Sequence, residues 1–114
     1  EVIKLWLGLR FLGLNGIENI LKSSINRKDF FIKNISKNKF DIYSGPLHIV
    51  SFLPKNLAPK DSNAWTQTKV NELINNNFML SRPKFKGKYL LRVVMGNYNT
   101  EESHIEELLR LLEA

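Results

Sequence analysis

The sequence predicts an α+β domain: a four-stranded, mostly antiparallel sheet with helices packed on one face, preceded by an apolar helix. Two adjacent pairs of strand-like segments, at 40–53 and 78–95, are separated by a helical segment. Each later helical segment offers one apolar stripe, as a helix lying on a sheet requires. With 114 residues, 43% hydrophobic and 25% charged, the chain has room for one core and shows no second core or internal repeat.

Residues 1–13 read as a helix without a polar face. At roughly 100° per residue Lys4 and Arg10 fall about 120° apart, while Val2, Ile3, Leu5, Trp6, Leu7, Leu9, Phe11 and Leu12 cover nearly the whole circumference. A helix apolar all round is buried on more than one side. One small domain covers one side, so the rest implies a missing partner: another domain, another subunit or a membrane surface. The membrane fits worse, because interfacial helices carry a strongly polar face.

Gly13-Leu14-Asn15-Gly16 is a break, with Asn15 able to open a new helix. From Ile17 to about Lys37, Ile17, Ile20, Leu21, Ile25, Phe31, Ile32 and Ile35 form a helical stripe. Lys28 lies on it, with a stem long enough to carry its charge outward. Phe40 to Ser44 alternates as a half-buried strand does, Gly45-Pro46 turns, and Leu47 to Leu53 alternates again, so the two pair antiparallel. Pro54 ends the second strand because it has no N–H for a ladder.

Lys55 to Asp61 is a surface loop, and Asp61 or Ser62 caps a helix from Asn63 to about Asn76 with Trp65, Val70, Leu73 and Ile74 as its apolar set. Asn75-Asn76-Asn77 stops it. Phe78 to Ser81 is a short strand, Arg82 to Gly87 a basic connection, and Tyr89 to Met95 a buried strand interrupted by Arg92. After a turn at Gly96-Asn97, the last helix opens near Thr100 with acidic residues at its positive end and buries Ile105, Leu108, Leu109 and Leu112, ending at Ala114.

Cysteine is absent, which excludes disulfides and thiolate metal sites and points to an intracellular, cytoplasmic protein. No apolar run approaches the roughly 20 residues that cross a bilayer, and no secretory signal is present. The chain begins at Glu1, already inside a helical pattern, so a fragment of a longer protein is expected. The net charge of +6 is spread along the chain among many Asn and Ile residues, which reads as a solvated basic surface rather than a nucleic-acid stripe.

Phosphate loops, HExxH pairs and GxSxG elbows are missing. His48 and His104 have no ligand spacing, and Glu101, Glu102, Glu106 and Glu107 complement a helix dipole rather than hold a metal. His48 suits acid–base work only in principle, having no carboxylate or nucleophile near it in sequence; a structural hydrogen bond is the plainer role. Arg92 is the candidate site residue. A guanidinium set among leucine, valine and methionine must surface at an edge or meet an anion. The plainer reading is an ion pair with a carboxylate of the same domain.

A specific resemblance follows. Lys4-Leu5-Trp6, Leu9-Arg10 and Leu12-Gly13, then Asn15-Gly16, resemble the start of the C-terminal small domain of the group II amino-acid decarboxylases. These are pyridoxal-phosphate-dependent enzymes of fold type I that include glutamate, aromatic-L-amino-acid and diaminobutyrate decarboxylases. The likeness continues through Leu47 to Phe52 and is clearest at Gly87 to Arg92, followed by Asn97 and Thr100. It spans essentially the whole chain and implies residues 1–13 as an interdomain helix and 14–114 as the α+β core.

The resemblance places the cofactor pyridoxal 5'-phosphate, its lysine and the other catalytic groups in a preceding large domain, so no catalytic, cofactor or metal residue is expected in this chain. It implies that Arg92 binds the α-carboxylate of an amino-acid substrate, a task that suits a bidentate guanidinium. It also implies the large domain and a homodimer partner as the surfaces that cover the first helix, a parent lyase in the cytoplasm, and a piece inert alone. His48, Leu53-Pro54, Tyr98-Asn99 and Arg27-Lys28 depart from the family pattern and leave the substrate open.

Two readings from other classes compete. One is a free-standing binding or regulatory module, RNA-binding in principle through sheet aromatics and positive charge, although the aromatics lack the RRM signature. The other is a dimerisation domain.

Overall fold

The computed structural model describes residues 1–113, and the predicted helix end at Ala114 lies outside the described residues. It shows an α+β chain with helix α1 (Val2–Asn34), strands β1 (Phe40–Ser44) and β2 (Ile49–Pro54), and a 3₁₀ turn (Pro59–Asp61). Helix α2 (Ser62–Asn75), strands β3 (Lys84–Phe85), β4 (Lys88–Tyr89) and β5 (Leu91–Val94) and helix α3 (Glu102–Glu113) follow.

The break in α1 sits at Gly13, whose φ of 69° and ψ of 175° belong to a region essentially reserved for glycine. Helix resumes at once, so Asn15 and Gly16 lie inside it and Asn15 caps nothing, against expectation. Gly16 is needed for space as well: a Cβ there would stand 3.1 Å from Leu12 Cβ. Only the last turns of α1 join the core, through Phe31 and, just past the helix, Ile35. Toward the start, Val2, Ile3, Phe11 and Leu14 are more than 70% exposed, so the domain leaves this apolar helix uncovered. No helix among the described residues is long and apolar enough to cross a membrane.

β1 and β2 pair antiparallel with Phe40 opposite Pro54 and Ser44 opposite Val50, and β2 pairs antiparallel with β5, giving the order β1-β2-β5. Phe40, Val50, Phe52, Leu91 and Val93 face one core with Phe31, Val70, Leu73, Ile105, Leu108, Leu109 and Leu112 of the helices. Phe52 is its hub, 5.6 Å from the ring centroid of Phe31 and 5.7 Å, edge-on, from that of Phe40. Truncating such a ring to alanine costs about 3–5 kcal/mol.

The single sheet of four strands is corrected to three strands plus a separate hairpin, β3-β4. Residues 78–80 form no strand, and only Ser81 bridges to β5, donating to Arg92 O at 3.2 Å and accepting from Arg92 N at 2.9 Å. The predicted basic connection is itself the hairpin: Lys86 and Gly87 both have positive φ, as a two-residue turn with right-handed strands demands. Ser81 opposite Arg92, Lys84 opposite Tyr89 and Phe85 opposite Lys88 share one continuous register. Pro83 interrupts it, because proline has no N–H to donate, and the ribbon separates into a bridge and a hairpin.

The predicted caps also differ. Asp61 precedes α2 without a side-chain cap, while Ser62 Oγ donates to Pro59 O at 2.7 Å and accepts from Tyr89 N at 3.0 Å. α3 starts two residues later than expected, and His104 Nδ1 accepts the Glu101 N–H at 3.0 Å, closing the first turn from inside the helix.

Candidate functional site

Because Leu91 and Val93 point into the core, Arg92 between them emerges on the opposite sheet face. Directly opposed residues share a face, so Tyr43, Ser51, Arg92 and Ser81 form one lateral row across the sheet. Beside it runs an apolar pair, Ile49 and Val94, about half exposed at 40% and 51%. The strand pattern thus delivers a guanidinium flanked by hydroxyls and bordered by hydrocarbon.

Arg92 is half-buried, and its Nε–H donates to Ser81 Oγ at 2.9 Å. It makes no ion pair among the described residues, so the plainer reading of a carboxylate partner within the domain finds no support. Three other arginines are committed. Arg27 gives Nε and Nη2 to Met95 O at 3.0 and 2.9 Å. Arg82 donates to Thr66 Oγ1, Gln67 Oε1 and Asn63, and its guanidinium lies 4.9 Å from the centroid of the Tyr89 ring. Arg110 grips Glu107, whose carboxyl is held below the usual carboxylate range chiefly by that hydrogen bond, while the guanidinium is pushed further up.

An open groove of about 660 Å³ lies between the segment after α2 and the start of α3, lined by Phe78, Met79, Met95, Asn97 and His104. Arg92 does not line it, and its titratable side chains are occupied: His104 by its capping bond and Glu107 by Arg110. His48 sits just before β2 and packs on Gly96, where a Cβ would meet its ring at 3.3 Å. Its ring makes no hydrogen bond among the described residues, so neither an acid–base partner nor the expected structural bond is present.

Lys28 does not carry its charge outward. It is 7% exposed, donating to Gly45 O at 3.3 Å and pairing with Asp29 at 3.3 Å. No group of three or more His, Cys, Asp or Glu able to hold a metal occurs among the described residues.

No protein-family model matches the chain. A solved structure of Oryza sativa TDC with PLP and tryptamine superposes with a TM-score of 0.82 at 17% identity, covering 96% of this chain and 25% of that one. Catharanthus roseus tryptophan decarboxylase in complex with L-tryptophan does so with a TM-score of 0.78 at 24% identity, covering 96% and 25%. These likenesses establish the fold.

In sequence the chain is 26% identical over 117 residues to tryptophan decarboxylase 2 of Oryza sativa subsp. japonica, covering 96% of this chain and 23% of the relative. The resemblance to group II pyridoxal-phosphate decarboxylases therefore stands in sequence and in fold. The chain spans about a quarter of the length of these relatives, consistent with a C-terminal domain.

Proposed function

We propose that this chain is the C-terminal domain of a pyridoxal-phosphate-dependent amino-acid decarboxylase in which Arg92 receives the substrate's α-carboxylate. The observation that carries this reading is a half-buried guanidinium on β5, without an anionic partner among the described residues, on the sheet face opposite Leu91 and Val93. The electron-withdrawing chemistry belongs to the cofactor in the larger part of the enzyme. This chain contributes positioning: a planar fork fixes both oxygens of a carboxylate and so orients the bond that breaks.

The uncovered start of α1 then packs on the large domain and on a homodimer partner, in a cytoplasmic enzyme whose small domain is inert by itself. The test is Arg92→Ala in the full-length enzyme. Removing one partner of a desolvated charge pair raises KM, or lowers kcat, by about a hundredfold, with cofactor absorbance unchanged. Wild-type kinetics would refute the reading.

One observation favours a second reading, a free-standing RNA-binding module: Lys84, Lys86 and Lys88 crowd the hairpin with Phe85 half exposed, and none is ion-paired among the described residues. Salt-sensitive micromolar binding of single-stranded RNA, measured by electrophoretic titration at two salt concentrations, would support it; no binding at low salt would dismiss it.

A further inference from the structure

Resting on the carboxylate reading of Arg92, we propose that Ser81 is its positioning residue and that it sets the direction from which the carboxylate is taken. A guanidinium offers a carboxylate two bidentate edges, the side formed by Nε and one Nη, and the end formed by both Nη atoms. Ser81 Oγ already accepts the Nε–H at 2.9 Å. The side edge is thereby occupied on the hairpin flank, and the end edge points away from Ser81.

The hydroxyl is placed by backbone rather than by chance. Ser81 and Arg92 exchange both main-chain hydrogen bonds, at 3.2 and 2.9 Å, so their side chains leave the same face as immediate neighbours. This is the one ladder rung that survives on the Ser81 side before Pro83 interrupts the ribbon. The opposite neighbour, Ser51, also stands directly across from Arg92, but its hydroxyl makes no bond to the guanidinium. Without Ser81 the long arginine side chain regains rotamers on a half-open surface, and a carboxylate must order it again on binding.

The experiment compares Ser81→Thr with Ser81→Val in the full-length holoenzyme, two side chains of one shape that differ by the hydroxyl, alongside Ser81→Ala. The substrates are L-tryptophan, L-tyrosine and L-2,4-diaminobutyrate, using whichever is turned over fastest. Tryptamine, tyramine and 1,3-diaminopropane serve as the corresponding carboxylate-free competitors. Ser81→Val and Ser81→Ala raise KM about tenfold with kcat within about twofold, as loss of one hydrogen bond to a charged group predicts. Ser81→Thr stays within about twofold of wild type, and inhibition by the amine is unchanged throughout.

Equal KM values for the Thr and Val variants overturn the proposal, as does an amine inhibition constant that rises in step with KM, which marks general disturbance of the site. Arg92→Ala is run beside them. If it raises KM while Ser81→Val does not, Ser81 fails and the carboxylate reading survives. If Arg92→Ala leaves KM unmoved, both fall.

Discussion

Ser62 offers a sharp test of how the site's strand is anchored. Its side chain is fully buried at the start of α2, yet it is polar and bonded twice, donating to Pro59 O at 2.7 Å and accepting from Tyr89 N at 3.0 Å. One hydroxyl therefore ties the 3₁₀ turn and α2 to β4, two residues before β5 begins. Ser62→Ala removes one atom and leaves the Tyr89 N–H without its partner, while Pro59 O keeps the backbone N–H of residue 62.

A buried orphan donor costs about 1–3 kcal/mol, which becomes about 1–2.5 kcal/mol once the small gain in helix propensity is set against it. For a chain of this length about 4 °C of Tm accompanies each kcal/mol, and the variant melts about 4–10 °C lower. Urea denaturation followed by circular dichroism measures the difference, with the exposed Ser103→Ala as control. A Ser62→Ala loss no larger than that of the control would refute the reasoning, since it would mean that water or relaxation satisfies the freed N–H.

Two further predictions concern charge. Lys28 is buried with long bonds to Gly45 O and Asp29, so Lys28→Met, which keeps the stem and deletes the charge, is expected within about 1 kcal/mol of wild type or above it. Lys28→Ala, which also leaves a void, falls about 2 kcal/mol below; urea midpoints decide, and a Met variant as unstable as the Ala variant would show that the ammonium itself is needed. The Glu107 carboxyl titrates below the ordinary glutamate range because Arg110 bonds it. A depressed folded value makes its small contribution to stability present above the unfolded pKa and lost as pH falls through the folded one. Carbon-detected NMR titration checks the direction, and Arg110→Ala returns Glu107 to the usual range.

Much of the local architecture was legible from residue order, because it depends on neighbours a few positions apart. Gly13 breaks α1 where only glycine accepts the backbone. The alternation at 40–44 and 49–54 gives two paired strands, and the four apolar positions of α3 are all buried at helical spacing. The absence of any polar face on the first helix foretold that the domain would leave it uncovered. Arg92 was conspicuous for the same kind of reason, being a charge in an apolar strand.

What surrounds Arg92 was decided only by tertiary structure. Ser51 and Ser81 lie 41 and 11 positions before it in the chain, and their places beside it follow from the register of β2 with β5 and of the ribbon before Pro83. Register depends on which faces the folded core buries, a property of all the strands at once. The capture of Arg82 by α2, the burial of Lys28 under the Gly45 carbonyl and the capping bond of His104 arise in the same way. Residue type announces that a charge needs a partner, and only the packed chain, by setting distance and direction, decides which charges are satisfied within it.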